Sequence, residues 1–370
     1  MPECDVAVVG AGPAGLLLAC VLARRGVSVI VLEKTSGRDD RSRAIGIHPP
    51  GVAALSTAGV ADAFRAEALA LTGGTVTSRG RVLADLDFAP GQEVLTLPQA
   101  RTQALLADRL ADLAPGALRT GVLVRNVLPE GHAARALIER DGREGEVSAR
   151  RIVIADGVHS GIRDVLAFGW RRVPGEADYT MLDVGGAAGD DRARLHLEPG
   201  GVVESFPLPG GGRRWVIRAD APFRSTAAFA DMVRQRTGED IGDTGDALPQ
   251  SFRAAQHRAG RLVFGPLVLL GDAAHEISPI GGQGMNLAWI AACRLAAALT
   301  GPGDREAALE AYARVSLRAA ATAQRRARFN MAMGAPMGAA RRSARDVAIR
   351  TLARGGSGRR LLGTMTMSGL

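Results

Sequence analysis

The segment from Asp5 to Glu33 constrains this chain more than any other stretch. Asp5 to Val9 is a short apolar run that leads straight into Gly10-Ala11-Gly12-Pro13-Ala14-Gly15. A helical apolar stretch from Leu16 to Leu22 follows, then a second apolar run, Val27 to Leu32, closed by Glu33. That order predicts a strand, a GxGxxG turn, a helix and a strand, which is one βαβ unit of the dinucleotide-binding type. Gly10 permits the tight turn, Gly12 lets backbone N–H groups approach a pyrophosphate, and Gly15 lets helix and strand pack closely. Pro13 and Ala14 complete the loop. The anion is expected at the helix N-terminus, where unpaired N–H groups and the macrodipole favour negative charge. Glu33, beside Lys34, stands where a carboxylate accepts hydrogen bonds from a ribose 2′-OH and repels a 2′-phosphate. An adenine dinucleotide is the expected ligand.

Composition limits the alternatives. A chain of 370 residues can bury a large core, as one big domain or two interleaved ones. Its 46% hydrophobic and 23% charged residues describe a soluble globular protein. No apolar run approaches the roughly 18 residues of a membrane span. The N-terminus enters the first strand without a signal-like segment, so a cytoplasmic location is expected. Cys4, Cys20 and Cys293 lack metal-ligand spacing and read as small buried hydrophobes, so no metal site is expected. Residues 318–360 hold eleven arginines against one acid, Asp346, so this segment accounts for the whole net charge of +8. It reads as solvated helical faces with arginines lying over apolar surface; an acidic partner protein or a membrane face is the alternative. Nucleic acid is disfavoured, because no aromatic residues interleave with the arginines.

Along the chain, a helix is expected from Pro50 to about Ala68, strand-like pieces within 72–95, and a helix from Pro98 to Asp112. Short strands over 122–128, 134–140 and 146–149 suggest a meander, followed by a separate apolar strand, Arg151 to Ala155. Residues 171–255 turn to antiparallel strands, interrupted by a helix at Thr226 to Thr237. A parallel-type strand returns at Leu267 to Leu270, then a helix from Leu287 to about Leu299, then a helical tail. The expected fold class is α/β: a Rossmann-like GxGxxG domain (1–71, 96–170 and 256–302), an inserted antiparallel β-sheet substrate domain (72–95 and 171–255), and a helical C-terminal segment (303–370).

Three glycine-punctuated strand ends therefore converge where ligands bind in open α/β sheets. They are Gly10 to Gly15 with Glu33, then Asp156-Gly157 with Arg163, then Gly271-Asp272 with Pro279, Gly282 and Gly284. This set resembles that of the single-component FAD-dependent aromatic hydroxylases, the flavoprotein monooxygenases related to para-hydroxybenzoate hydroxylase, across residues 1 to about 300. The resemblance implies FAD as the dinucleotide, NADPH or NADH as a transient reductant, and O2 as co-substrate. It implies hydroxylation of an aromatic or polycyclic, polyketide-like small molecule through a C4a-hydroperoxyflavin.

Residue by residue, Asp272 is placed to accept a hydrogen bond from a ribityl hydroxyl. The Pro279–Gly284 turn opens a helix whose N–H groups can face the pyrimidine end of the flavin and stabilise its reduced, anionic form. Pro279, Gly282 and Gln283 thus form the expected ring environment, with Met285 and Asn286 following. Asp156, Gly157 and Arg163 resemble the family's motif associated with flavin and pyridine nucleotide. Arg43 and Arg101 stand where the family places arginines near the pyrophosphate and ribityl chain. His275 reads as structural. A flavin reductase or saturase on the same scaffold remains the main alternative. A halogenase lacks its Trp-x-Trp-x-x-Ile-Pro segment here, and a flavin-binding protein working through its arginine-rich tail is a further class.

The purified protein should be yellow and release FAD, not FMN, on denaturation, as read by absorbance and chromatography. A colourless protein that gains no flavin absorbance on adding FAD would overturn the cofactor assignment.

Overall fold

The computed structural model describes residues 2–37, 45–166, 168–186 and 190–354. The first sheet has a parallel centre, in the order Leu267–Leu269, Arg143–Ile154, Cys4–Val9, Val29–Glu33 and Leu118–Thr120. Val8 lies level with Val31 on one side and Val153 on the other. All three are fully buried. Such strands read as unbroken apolar runs because cover lies over both of their faces.

The helix after the glycine turn, Pro13–Ala23, has no polar face, and Leu16, Leu17, Leu18 and Leu22 are all buried. A helix apolar all round must be enclosed on every side. Here the sheet, Gln99–Leu113, Gln283–Thr300 and Pro49–Ala58 surround it. Cys4 and Cys20 are buried in the same core, and all three cysteines are free thiols.

Three boundaries differ from the sequence expectation. The helix expected from Pro50 to Ala68 is two, Pro49–Ala58 and Ala61–Glu67. Gly59 takes a left-handed φ of 81° and caps the carbonyls of Leu55 and Ser56, which ends the first helix. The strands expected at 146–149 and 151–155 are one strand, Arg143–Ile154, whose first half joins a meander with Ala133–Arg140 and Val122–Glu130. Its apolar pattern changes from alternating to continuous where it passes under helices, and that change mimics a boundary. The helix expected from Leu287 begins at Gln283, capped by Gly282.

The second sheet has seven strands. Gln250–Ala254, Ala177–Val184, Arg213–Arg218, Gly201–Pro207 and Arg192–Glu198 are antiparallel neighbours, and Gly73–Ser78 and Arg81–Asp87 extend the sheet beyond a parallel pairing. One face carries Val203, Trp215 and Ile217 against Phe229 and Val233 of the helix Thr226–Thr237. The other carries Tyr179, Leu197, Val202 and Val216 against Ile280, Met331 and Ile349. This second face therefore looks toward the nucleotide-type domain and the C-terminal helices, Arg305–Met333 and Ala339–Arg354. Not every arginine of that segment lies in solvent. Arg345 is buried, pairs with Asp346, and donates to the carbonyls of Met333 and Leu197, fastening the last helix to the sheet.

A Cβ at Gly15 would lie 2.1 Å from the carbonyl oxygen of Gly10. Gly15→Ala should therefore force helix and turn apart and cost at least about 1–3 kcal/mol, the usual range for overpacking. Chemical denaturation measures this, and a midpoint equal to that of the unsubstituted protein would contradict the close approach.

Candidate functional site

The first loop is built by close contact. Gly10 has φ +102°, and a Cβ there would lie 2.5 Å from the Ala155 carbonyl oxygen, so only glycine fits against the end of Arg143–Ile154. Gly12 differs. A Cβ there would meet nothing within 4 Å, so the protein's own packing gives no reason for glycine. The clearance lies over the start of Pro13–Ala23, where no side chain caps the helix and its first turn holds no acid. That leaves a positive backbone end facing open space.

The loop itself is pinned. Ala11 donates its N–H to Glu33 Oε2 at 2.8 Å and accepts from Gln103 Nε2 at 2.8 Å. Pro13 accepts from the Trp289 indole at 2.9 Å. The other Glu33 oxygen accepts the Thr35 N–H at 2.9 Å, which fixes the carboxylate at the mouth of the site; Lys34 is exposed beside it. Gln103 and Trp289 escaped the sequence reading, because a lone amide or indole on a helix carries no motif.

The second loop holds Asp156 and Gly157. Burial pushes the Asp156 carboxyl up, against a hydrogen bond from Ser160 and the charges of Arg163 and Lys34. Its Oδ1 is buried without a partner. A Cβ on Gly157, at φ +91°, would again meet nothing within 4 Å. Arg163 turns inward. Only 2% exposed, it stacks 3.7 Å over Trp170 and donates to the Val158 carbonyl at 3.0 Å and the Ala273 carbonyl at 3.4 Å. It ties the second loop to the third.

In the third loop, Gly271 has φ +64° and its Cβ position lies 3.0 Å from the Ala14 side chain, so this loop abuts the start of the first helix. Asp272 and Pro279 are exposed there. Gly281 and Gly282 take φ of +90° and +64° and swing the chain into Gln283–Thr300. Asn286 secures that turn: it accepts from the His48 N–H at 2.9 Å and donates to the carbonyls of Gly46 and Gly282 at 3.0 and 2.8 Å. Met285 packs on the main core. Gln283 is 0% exposed, and both atoms of its side-chain amide lack partners. Burying an unpaired amide costs about 1–3 kcal/mol, a cost that a ligand's polar edge can offset. Burial holds His48 and His275 neutral, with each pKa pushed down to about 4. His275 is thus an interior residue.

Arg101 forms a two-pronged bridge to Glu67, at 2.6 and 2.7 Å, two residues before the loop-binding Gln103. The pairing holds the Glu67 carboxyl below the usual carboxylate range. Arg43 lies outside the described residues.

This donor set fits FAD. The clearances at Gly12 and Gly157 and the bare helix start suit a diphosphate, Glu33 a ribose, and the unpaired Gln283 amide a polar ring edge.

The family model described as FAD binding domain matches residues 3–327. A 6-methylpretetramide 4-monooxygenase of Streptomyces rimosus is 33% identical over 339 residues, covering 84% of this chain and 59% of that protein. An anhydrotetracycline monooxygenase of the same species is 32% identical, covering 76% of this chain and 60% of that protein. The chain thus spans about 60% of the length of these curated relatives. Among solved structures, a p-nitrophenol 4-monooxygenase of Pseudomonas putida superposes with a TM-score of 0.88 over 99% of both chains at 22% identity, a likeness of fold. An anhydrotetracycline hydroxylase of Streptomyces rimosus gives 0.81 at 27% identity, covering 99% of this chain and 76% of that one.

Gly12→Val should leave the melting temperature near its original value, since its side chain meets no protein atom, yet abolish FAD retention. Asp272→Ala, by removing a charge-assisted hydrogen bond of roughly 1.5–3 kcal/mol, should weaken FAD binding about ten- to a hundredfold. Flavin titration of both variants checks this; normal retention in both would put the ligand elsewhere.

Proposed function

Because this chain belongs to the FAD-dependent aromatic hydroxylase family, we propose that it is an NADPH- or NADH-dependent monooxygenase inserting one oxygen atom from O2 into a polycyclic aromatic substrate. The observation that carries the reading is the convergence of three strand-end loops on the cleared space over Gly12, with the Gln283 amide unpaired nearby in the third loop. Substrates of the polycyclic polyketide class are supported by relatives named for 6-methylpretetramide and anhydrotetracycline. Those names also disfavour a reductase or saturase.

FAD, when bound and reduced, supplies the oxygen-activating chemistry. The protein's residues do the rest. The amides of the first loop bind the diphosphate, Glu33 the ribose and Asp272 a ribityl hydroxyl. Pro279, Gly282 and Gln283 line the ring, and the start of Gln283–Thr300 stabilises negative charge at its pyrimidine edge. Asp156, Gly157 and Arg163 shape the opposite loop, and Arg43 and Arg101 keep the pyrophosphate and ribityl roles that the family resemblance gives them. Residues 72–95 and 171–255 act as the substrate domain, whose apolar face excludes water from the reaction. The exposed arginines of the C-terminal helices, Arg318, Arg325, Arg328 and Arg341 among them, suit an acidic partner. A cytoplasmic setting supplies the reductant.

With its substrate, the protein should consume O2 and NAD(P)H in near-equal amounts. Heavy oxygen gas should label the product hydroxyl, and labelled water should not. Anaerobic turnover with an added electron acceptor, giving an unoxygenated product, would replace this reading with the reductase one.

A further inference from the structure

The second sheet carries a buried acid that has no part in holding FAD. Glu204 sits mid-strand in Gly201–Pro207, level with Leu195 and Val216 on its two neighbours. It is 7% exposed and makes no side-chain hydrogen bond or ion pair among the described residues. Alternation along the strand puts it on the face of Val202, not that of Val203. That face meets Ile280, in the turn assigned to the flavin ring, and Met331.

Tyr179 shares the face, one strand beyond Val216. Its ring stacks on Phe252 at 5.7 Å, and its hydroxyl is buried without a hydrogen-bond partner. Two charged groups act on this phenol: Glu204, which raises its pKa, and Arg218, which lowers it. Arg218 donates to the Met331 carbonyl at 2.7 Å, and Arg214 grips Asp183 at 2.6 and 2.7 Å. At the far edge Arg345 pairs with Asp346.

A buried carboxyl with no hydrogen bond or ion pair among the described residues, beside a buried phenol that feels the charges of that carboxyl and of Arg218, is costly for folding and serves no packing purpose that a leucine would not serve better. We propose that Glu204 accepts the proton of an acidic hydroxyl, phenolic or enolic, on the substrate, and that Tyr179 borders the same space and orients that hydroxyl. The proposal rests on the hydroxylase reading. In the step, the substrate O–H bond breaks and the proton forms an O–H bond on the carboxylate. The electron pair stays on the substrate oxygen, which makes the ring or enol a better nucleophile toward an electrophilic oxygen. Burial pushes the Glu204 carboxyl up to about 7, which matches a base working near neutral pH.

The test uses FAD-loaded, oxidised protein without NAD(P)H, so no turnover is involved. The probe is 1,8-dihydroxyanthraquinone, a polycyclic phenol that turns from yellow to red on deprotonation, at about pH 7 where the free dye is neutral. Wild type should bind it and generate the red phenolate band. Glu204→Gln should bind the dye but lower the phenolate fraction about tenfold or more, as expected for a shift of one pKa unit or more. The same variant should keep its FAD and its melting temperature. Tyr179→Phe should weaken dye binding while keeping the colour change. Should Glu204→Gln fail to fold, infrared difference spectra of wild type decide: dye binding should add a protonated-carboxyl band, and its absence overturns the proposal. A red band undiminished in Glu204→Gln overturns it too, as does wild-type protein that does not bind the dye. A Glu204-dependent colour change in a protein that never incorporates O2 would instead leave the proton acceptor standing and remove the hydroxylase reading.

Discussion

The structure depends on one enclosed helix. Pro13–Ala23 has no side that tolerates water, so it must lie between the sheet and three other helices. Its peptide dipoles then deliver a positive end to a single point, where no side chain caps the helix and its first turn holds no acid. Every glycine that matters nearby answers to this geometry. Gly10 and Gly15 let the turn and helix meet within van der Waals contact, and Gly271 lets the third loop abut Ala14. Gly12 keeps the remaining direction clear. The ligand site is therefore a by-product of how tightly the core closes around one helix.

The loops around it are held by side chains bonded to their carbonyls. Gln103, Trp289, Asn286 and the inward-turned Arg163 spend their hydrogen bonds on carbonyls of the three loops. Such ties remove the freedom that glycine-rich turns would otherwise have, so binding orders little that is not already ordered. Around the loops and on the facing sheet, Asp156 Oδ1, the Gln283 amide and the Tyr179 hydroxyl are among the buried polar atoms without a hydrogen-bond partner. Folded interiors satisfy most buried polar atoms, so such groups beside a ligand site are candidates for contact with the ligand.

The linkage between pH and stability follows from the same burial. His48 and His275 stay neutral in the native protein while the unfolded chain takes up protons below about 6.5. They subtract stability as pH falls from about 6.5 toward 4. Glu204 works in the opposite sense, since its folded value near 7 makes the native state bind the proton more tightly and costs stability as pH rises through that range. The two effects oppose each other across the acid side of neutrality.

Short-range pattern determined much of this protein. The Asp5–Glu33 unit, the three glycine-marked strand ends and the strands Gly201–Pro207 and Arg213–Arg218 are legible because strand period, helix period and turn chemistry are local properties. Boundaries failed where local pattern misled. Gly59 ends a helix that periodicity would continue, and Arg143–Ile154 changes environment without changing conformation. Tertiary structure alone decided which polar residues meet. Gln103 reaches Ala11 across 92 residues, and Asn286 reaches Gly46 across 240. It also decided that Arg163 turns inward, that Arg345 anchors a helix, and that Glu204 lies on the sheet face packed against Ile280 and Met331 with no ion pair among the described residues. A sequence fixes what each residue can donate, accept or bury; whether a partner stands within reach is set only when distant segments pack together.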